Sequence, residues 1–100
     1  MTASIGVWAE GEVTAEVVLY RWETGGETGF VTFEPLTRRV RPAAGDGRPI
    51  GDLLFDPVAG EPAGVAEGVD RRLFVQVAAA IMRAYRRVGA APATAHTYYY

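Results

Sequence analysis

Few side chains in this 100-residue sequence have the types and spacing that chemistry requires. His96 is the single histidine and the only imidazole available as a general base. Glu10, Glu12 and Glu16 would supply carboxylates along one strand edge. No spacing in the chain pairs them with His96, so His96 is expected to be a polar residue carried on a strand. Zinc asks for three or four His, Cys or carboxylate ligands, and one His with scattered acids does not meet that demand. Asp46-Gly-Arg and the Asp52/Asp56 pair lack the alternating oxygen ligands of a calcium loop. The glycines of residues 45–51 form neither a phosphate-binding loop nor a dinucleotide fingerprint. With no cysteine, thiolate catalysis, disulfides and cysteine metal sites are excluded. The sequence therefore calls for no cofactor and no metal.

Arginine is the remaining chemical resource. All ten basic residues are Arg, set against twelve acids, for a net charge of −2. With sixteen Ala alongside them, this is the usage of a GC-rich bacterial genome rather than a selected phosphate site. The layout is uneven. Residues 1–37 carry −5, residues 38–48 carry +3, residues 49–70 carry −5, and residues 71–100 carry five Arg and no acid. Arg38-Arg39-Val-Arg41 and the later Arg residues could meet nucleic-acid phosphates, with Tyr, Trp and Phe stacking on bases. The excess of acid argues instead for solvated Arg faces with intramolecular Glu partners. The Thr97-Tyr98-Tyr99-Tyr100 ending is either a tail recognised by another protein or an aromatic strand docked on the sheet; docking is expected, because apolar termini are usually tied down.

The elements that would position these residues follow from hydrophobic period and turn chemistry. Length allows one small domain over residues 1–100. Residues 3–34 read as a three-stranded meander, turning at Glu10-Gly11 and again at Gly25-Gly26, the second a tight hairpin expected to use positive φ. Those turns would set Trp8 opposite Val13, Ile5 opposite Glu16, Tyr20 opposite Val31 and Val18 opposite Phe33, with the Trp22 ring covering Gly29. One sheet face then collects Ile5, Val7, Val18, Tyr20, Trp22, Val31 and Phe33. The other collects Trp8, Val13, Ala15, Val17, Leu19 and Phe30. Leu36–Arg41 would form a short strand ended by Pro42. Residues 42–68 form a long Gly/Pro-rich loop whose Leu53, Leu54 and Phe55 close the core from one side.

The helix is written clearly. Asp70 suits the N-cap, Val69 and Phe74 stand at the spacing of a hydrophobic staple, and Leu73, Phe74, Val77, Ala78, Ile81, Ala84, Tyr85 and Val88 share one arc. Gly89 suits C′ and Pro92 blocks continuation, giving a helix over 71–88, followed by a strand from Thr94. The fold class is α+β: an antiparallel β-meander sheet packed against one α-helix in the C-terminal half, with a final short strand. The ending from Arg71 to Tyr100, helix–Gly89-Ala-Ala-Pro92–strand, resembles that of small bacterial immunity and accessory proteins. No basic stretch leads into an apolar one at the N-terminus, and Val75–Met82 is too short to span a bilayer, so a cytoplasmic protein is expected.

One helix cannot cover a sheet with two apolar faces, and monomers rarely leave a large apolar patch wet. The expected function is a non-enzymatic protein-binding module of accessory, regulatory or immunity type. Its interface would comprise Trp8, Val13, Val17, Leu19 and Phe30 with Arg21 at the rim, serving a homodimer first or a protein partner. The competing cover is the Leu53-Leu54-Phe55 segment. The rival function is a small-ligand binder or enzyme of isomerase or cyclase type. There Trp8, Trp22, Tyr20 and Tyr85 would line a pocket and Glu16 would be the base. A closed pocket of ~300 Å³ or more between sheet and helix would favour the rival, and a flat, solvent-facing apolar sheet would favour partner binding.

Overall fold

The computed structural model describes residues 3–99. Along the chain it forms β1 (Ala3–Ala9), β2 (Val18–Thr24), β3 (Glu27–Glu34), β4 (Arg39–Ala43), β5 (Leu54–Phe55), β6 (Pro62–Ala63), α1 (Arg71–Val88) and β7 (Thr94–Tyr99). The strands make one antiparallel sheet in the order β6-β5-β4-β3-β2-β1-β7, with α1 packed on one face. The α+β class is thus as expected, down to the final strand.

Helix α1 begins where the Asp70 side chain accepts the Leu73 N–H at 3.1 Å and ends at Gly89, which takes φ 82° and donates to the Tyr85 carbonyl at 2.7 Å. The β2–β3 register is also the expected one, with Val18 opposite Phe33, Tyr20 opposite Val31 and Trp22 opposite Gly29. A Cβ at Gly29 would lie 2.5 Å from the Trp22 ring, so the bare glycine is what lets the indole lie across the strand. The Gly25-Gly26 hairpin is tight, with Thr24 opposite Glu27, but neither glycine has positive φ. The turn therefore closes without the mirror-image conformations expected of it; a two-residue loop can also turn with both central φ values negative.

Three expectations fail, the first because a local turn signal does not set long-range pairing. The β1–β2 connection is not a tight Glu10-Gly11 turn but the eight residues between Ala9 and Val18, so Trp8 pairs with Arg21 rather than Val13, and Ile5 with Thr24 rather than Glu16. The turn after β3 consumes Pro35–Arg38, with Arg38 at φ 61°, leaving Leu36 exposed. Pro42 then sits inside β4 instead of ending it. Ile50 N–H donates to the Pro42 carbonyl at 3.0 Å, so the peptide nitrogen of Pro42 also faces away from β3, where the ladder asks for no donor. Finally, residues 42–68 contain β5 and β6, which extend the sheet beyond β4.

The core lies between the helix and the sheet face bearing Ile5, Val7, Val18, Tyr20, Val31 and Phe33, all fully buried. Leu53 joins this same core, with Ile50 and Phe55 packed against it. Among the described residues, Tyr20 is the one fully buried side chain with a polar tip. Its hydroxyl donates to the Pro92 carbonyl at 2.7 Å, tying β2 to the connection between α1 and β7. Burial raises the pKa of this phenol above its ordinary 10.0. A raised folded-state value means that the stabilisation is complete below about pH 10 and is lost as pH climbs beyond it. Tyr20→Phe should cost about 0.5–1.5 kcal/mol at neutral pH. It should also flatten the alkaline limb of a stability–pH curve from urea melts; an unchanged limb would contradict the buried phenol.

Candidate functional site

The sheet face away from α1 is built by alternation. Ser4, Gly6 and Trp8 of β1 point to it, as do Leu19, Arg21 and Glu23 of β2, Thr28, Phe30, Thr32 and Glu34 of β3, and Arg39 and Arg41 of β4. Register lines these residues into cross-strand rows. One row runs Thr94, Trp8, Arg21, Phe30, Ala43; the next runs Glu10, Leu19, Thr32, Arg41.

Trp8 is the centrepiece. Its ring lies along β1 over Gly6, where any Cβ would collide with the six-membered ring, and it remains 39% exposed. The Arg21 guanidinium stacks over it with its central carbon 5.1 Å from the ring centroid. Arg21 is held there by two carboxylates, those of Glu10, at 3.1 Å, and Glu23. Exposed ion pairs and cation–π contacts are each worth only about 0.5–1 kcal/mol. Their effect is geometric: a flat aromatic surface and a cation held in register before any partner arrives. Beside them Phe30 is half-buried, and the turn after β4 packs on it, with a Cβ at Gly45 only 3.3 Å from the ring.

Of the six residues expected at this interface, Trp8, Leu19, Arg21 and Phe30 come together on the outer face. Val17 lies just before β2, half-exposed at the margin, beside a small cleft of about 270 Å³ with Thr32, Glu34, Arg39 and Arg41. Val13 does not join them; it lies in the β1–β2 connection and packs against the helix-side core. Four further neighbours that the sequence reading missed join them: Glu10 through the true β1–β2 pairing, Arg41 through the β3–β4 pairing, Thr32 opposite Leu19 in the β2–β3 pairing, and Glu23 two residues along β2 from Arg21. The Gly6–Trp8 alternation was the available signal, parallel to Trp22 and Gly29 on the other face. Leu53 is buried in the helix-side core and Phe55 packs against it, so neither covers this face.

The other face offers a cleft of about 510 Å³ between the β2–β3 hairpin and the start of α1, walled by Trp22, Val31, Ile50, Val69, Leu73 and Phe74. Glu27 and Asp70 are its acidic groups, and Asp70 is already engaged as the N-cap. The aromatic set expected to line a ligand pocket is dispersed. Trp8 is on the opposite face, the Tyr20 hydroxyl is committed to Pro92, and Tyr85 packs edge-on against Phe33 at 5.5 Å. Glu16 is exposed in the β1–β2 connection, at the far end of the strands from this cleft. His96 is exposed on β7 and meets Tyr98 edge-on at 5.1 Å. Tyr98 and Tyr99 belong to the docked strand, while Tyr100 lies outside the described residues.

Among the described residues no three His, Asp or Glu side chains converge as a metal site would need, and no helix is long and apolar enough to cross a membrane. Compared with known protein families, curated proteins and solved structures, the chain matches none.

Proposed function

We propose that the protein is a non-enzymatic protein-binding module of accessory or regulatory type that works through the outer sheet face, with a second copy of itself as first partner. The observation that carries this reading is Trp8: a large ring laid flat over Gly6, clamped beside Arg21, and left partly in water. Aromatic and Arg side chains held rigid at the centre of a patch are the usual carriers of binding energy. The charge layout favours a two-fold axis parallel to the strands, between β2 and β3. Such an axis would lay Glu10 over Arg41 of the partner copy, a pair complementary in charge, and Trp8 over the turn that follows its β4, which covers Ala43 and packs on Phe30. A face of five strands about 4.8 Å apart is roughly 20–24 Å wide, the scale of a small interface.

Sedimentation of the native chain at rising concentration should show a monomer–dimer equilibrium. Trp8→Ala should abolish the dimer with the urea midpoint retained, and Arg41→Glu should weaken it by setting two acids against each other. A native chain that stays monomeric to about 1 mM excludes the homodimer. Loss of folding in Trp8→Ala would assign the ring a purely structural role.

A second reading, a binder of a small apolar ligand, draws its support from the 510 Å³ cleft beside Trp22. Filling the mouth of that cleft by Glu27→Trp, at an exposed lining residue, would abolish such binding while leaving self-association intact.

A further inference from the structure

β7 ends the sheet on one side, and no described strand pairs with its outer edge. Ala9 N–H donates to the Ala93 carbonyl at 2.9 Å, and the β1–β7 register continues from that pair. Backbone bonding alternates along an antiparallel pair. Ala95, Thr97 and Tyr99 therefore bond to β1, and the N–H and C=O groups of Thr94, His96 and Tyr98 point outward. None of these three residues is a charge or a proline, the devices by which exposed edges are usually protected. At the sheet's opposite side the end strand, β6, is only two residues long.

What flanks the edge decides its partner. Arg83 reaches down from α1 to the Thr97 hydroxyl at 2.7 Å, which places the solvent-facing flank of the helix above β7. Arg87 stands one turn further along the same flank, and residues 71–100 contain five Arg and no acid. A second copy pairing β7 with β7 would bring the Arg83 and Arg87 side chains of both chains together across the seam, which like charges oppose. An acidic strand would be drawn in by the same groups.

We propose that the β7 edge receives an extended acidic segment of a partner protein as an additional antiparallel strand, bonded to the backbone of Thr94, His96 and Tyr98, with alternate carboxylates facing Arg83 and Arg87. The inference is independent of self-association through the opposite face, since it uses backbone groups and the helix flank rather than Trp8.

The test uses the full chain and a fluorescein-labelled peptide, Thr-Val-Glu-Val-Glu-Val-Thr, read by anisotropy and by amide hydrogen exchange. Binding should be saturable. It should slow exchange at His96 and Tyr98 but leave Thr97, already bonded to β1, unchanged. His96→Pro removes an outward N–H that the folded chain does not use, so it should fold and bind about tenfold more weakly or worse. Arg83→Glu should also lose most of the affinity, and a peptide with Lys in place of Glu should not bind. Should His96→Pro fail to fold, the exchange pattern and Arg83→Glu still decide the matter. The proposal is overturned by no binding at about 1 mM peptide, by equal binding of the Lys peptide, or by a folded His96→Pro that binds normally. It is also overturned if a single-stranded oligonucleotide binds this flank and the acidic peptide does not compete with it.

Discussion

Replacing Ile81 with Ala is expected to cost about 2–5 kcal/mol, the range for truncating a fully buried aliphatic side chain in a rigid core. Ile81 is completely shielded from water on the arc of α1 that faces the sheet, among Val77, Ala78 and Ala84 of its own helix. The sheet opposite is equally dense, with Ile5, Val7, Tyr20 and Phe33 all fully buried. Phe33 is further fixed by edge-on contacts with Tyr20 and Tyr85, at 6.4 and 5.5 Å, so the void left by three missing carbons has little room to close. Urea melts followed by circular dichroism give the number directly. A loss below about half a kilocalorie, typical of surface sites, would mean that α1 does not pack on this sheet face through Ile81.

That such a residue can be named from sequence reflects how the helix is encoded. Every signal for α1 is local: Asp70 before it, an apolar arc of period 3.6 through it, Gly89 and Pro92 after it. The β2–β3 hairpin is legible for the same reason, its register being fixed by a two-residue turn and by Trp22 facing Gly29. The β1–β2 pairing is not local. Reading Glu10-Gly11 as the turn places Trp8 opposite residue 13 when its partner is residue 21, a displacement of eight. Eight is even, and an even displacement leaves every side chain of both strands on its own face. This is why the core residues of β1 and β2 could be read correctly from a wrong pairing.

The candidate site suffered more, because a site depends on neighbours and not only on faces. Alternation from a Glu10-Gly11 turn puts Val13 and Ala15 on the outer face as strand residues, yet both lie in the connection before β2. Val13 turns inward to the core, and Arg21, Glu10 and Glu23 take the place beside Trp8. Residues 42–68 were opaque for a different reason. Two-residue strands carry no readable period, and Pro42 inside β4 contradicts the ordinary signal for a strand end. The choice between Leu53-Leu54-Phe55 covering the outer face or the core was a question of tertiary packing alone.

That same segment yields the other large effect. Gly64→Ala should cost about 3–4 kcal/mol, combining backbone strain with a collision that no rotamer can relieve. Gly64 has φ 89°, outside the range that L side chains ordinarily adopt. A Cβ there would run into the main-chain carbonyl of Asp52, with the carbonyl carbon at 2.7 Å and the carboxylate oxygen at 3.0 Å. The two stretches are locked together at this point, Asp52 N–H donating to the Val65 carbonyl at 2.9 Å and Val65 N–H to the Asp52 carboxylate at 2.7 Å. Leu53 and Ala66, the buried residues of this segment, stand immediately beside the clamp. Pushing Asp52 away therefore lifts Leu53 from beneath α1 and loosens β5 and β6 from the sheet. Gly60→Ala separates the two contributions, because Gly60 has a similar φ of 81° but open space where its Cβ would go. It should cost only the strain, about 1–2 kcal/mol. Urea melts measure both variants, and limited proteolysis should cut Gly64→Ala between residues 56 and 68 well before it cuts the native chain. Equal costs at the two glycines would mean that the clamp between residues 52 and 65 contributes nothing to holding this half of the sheet.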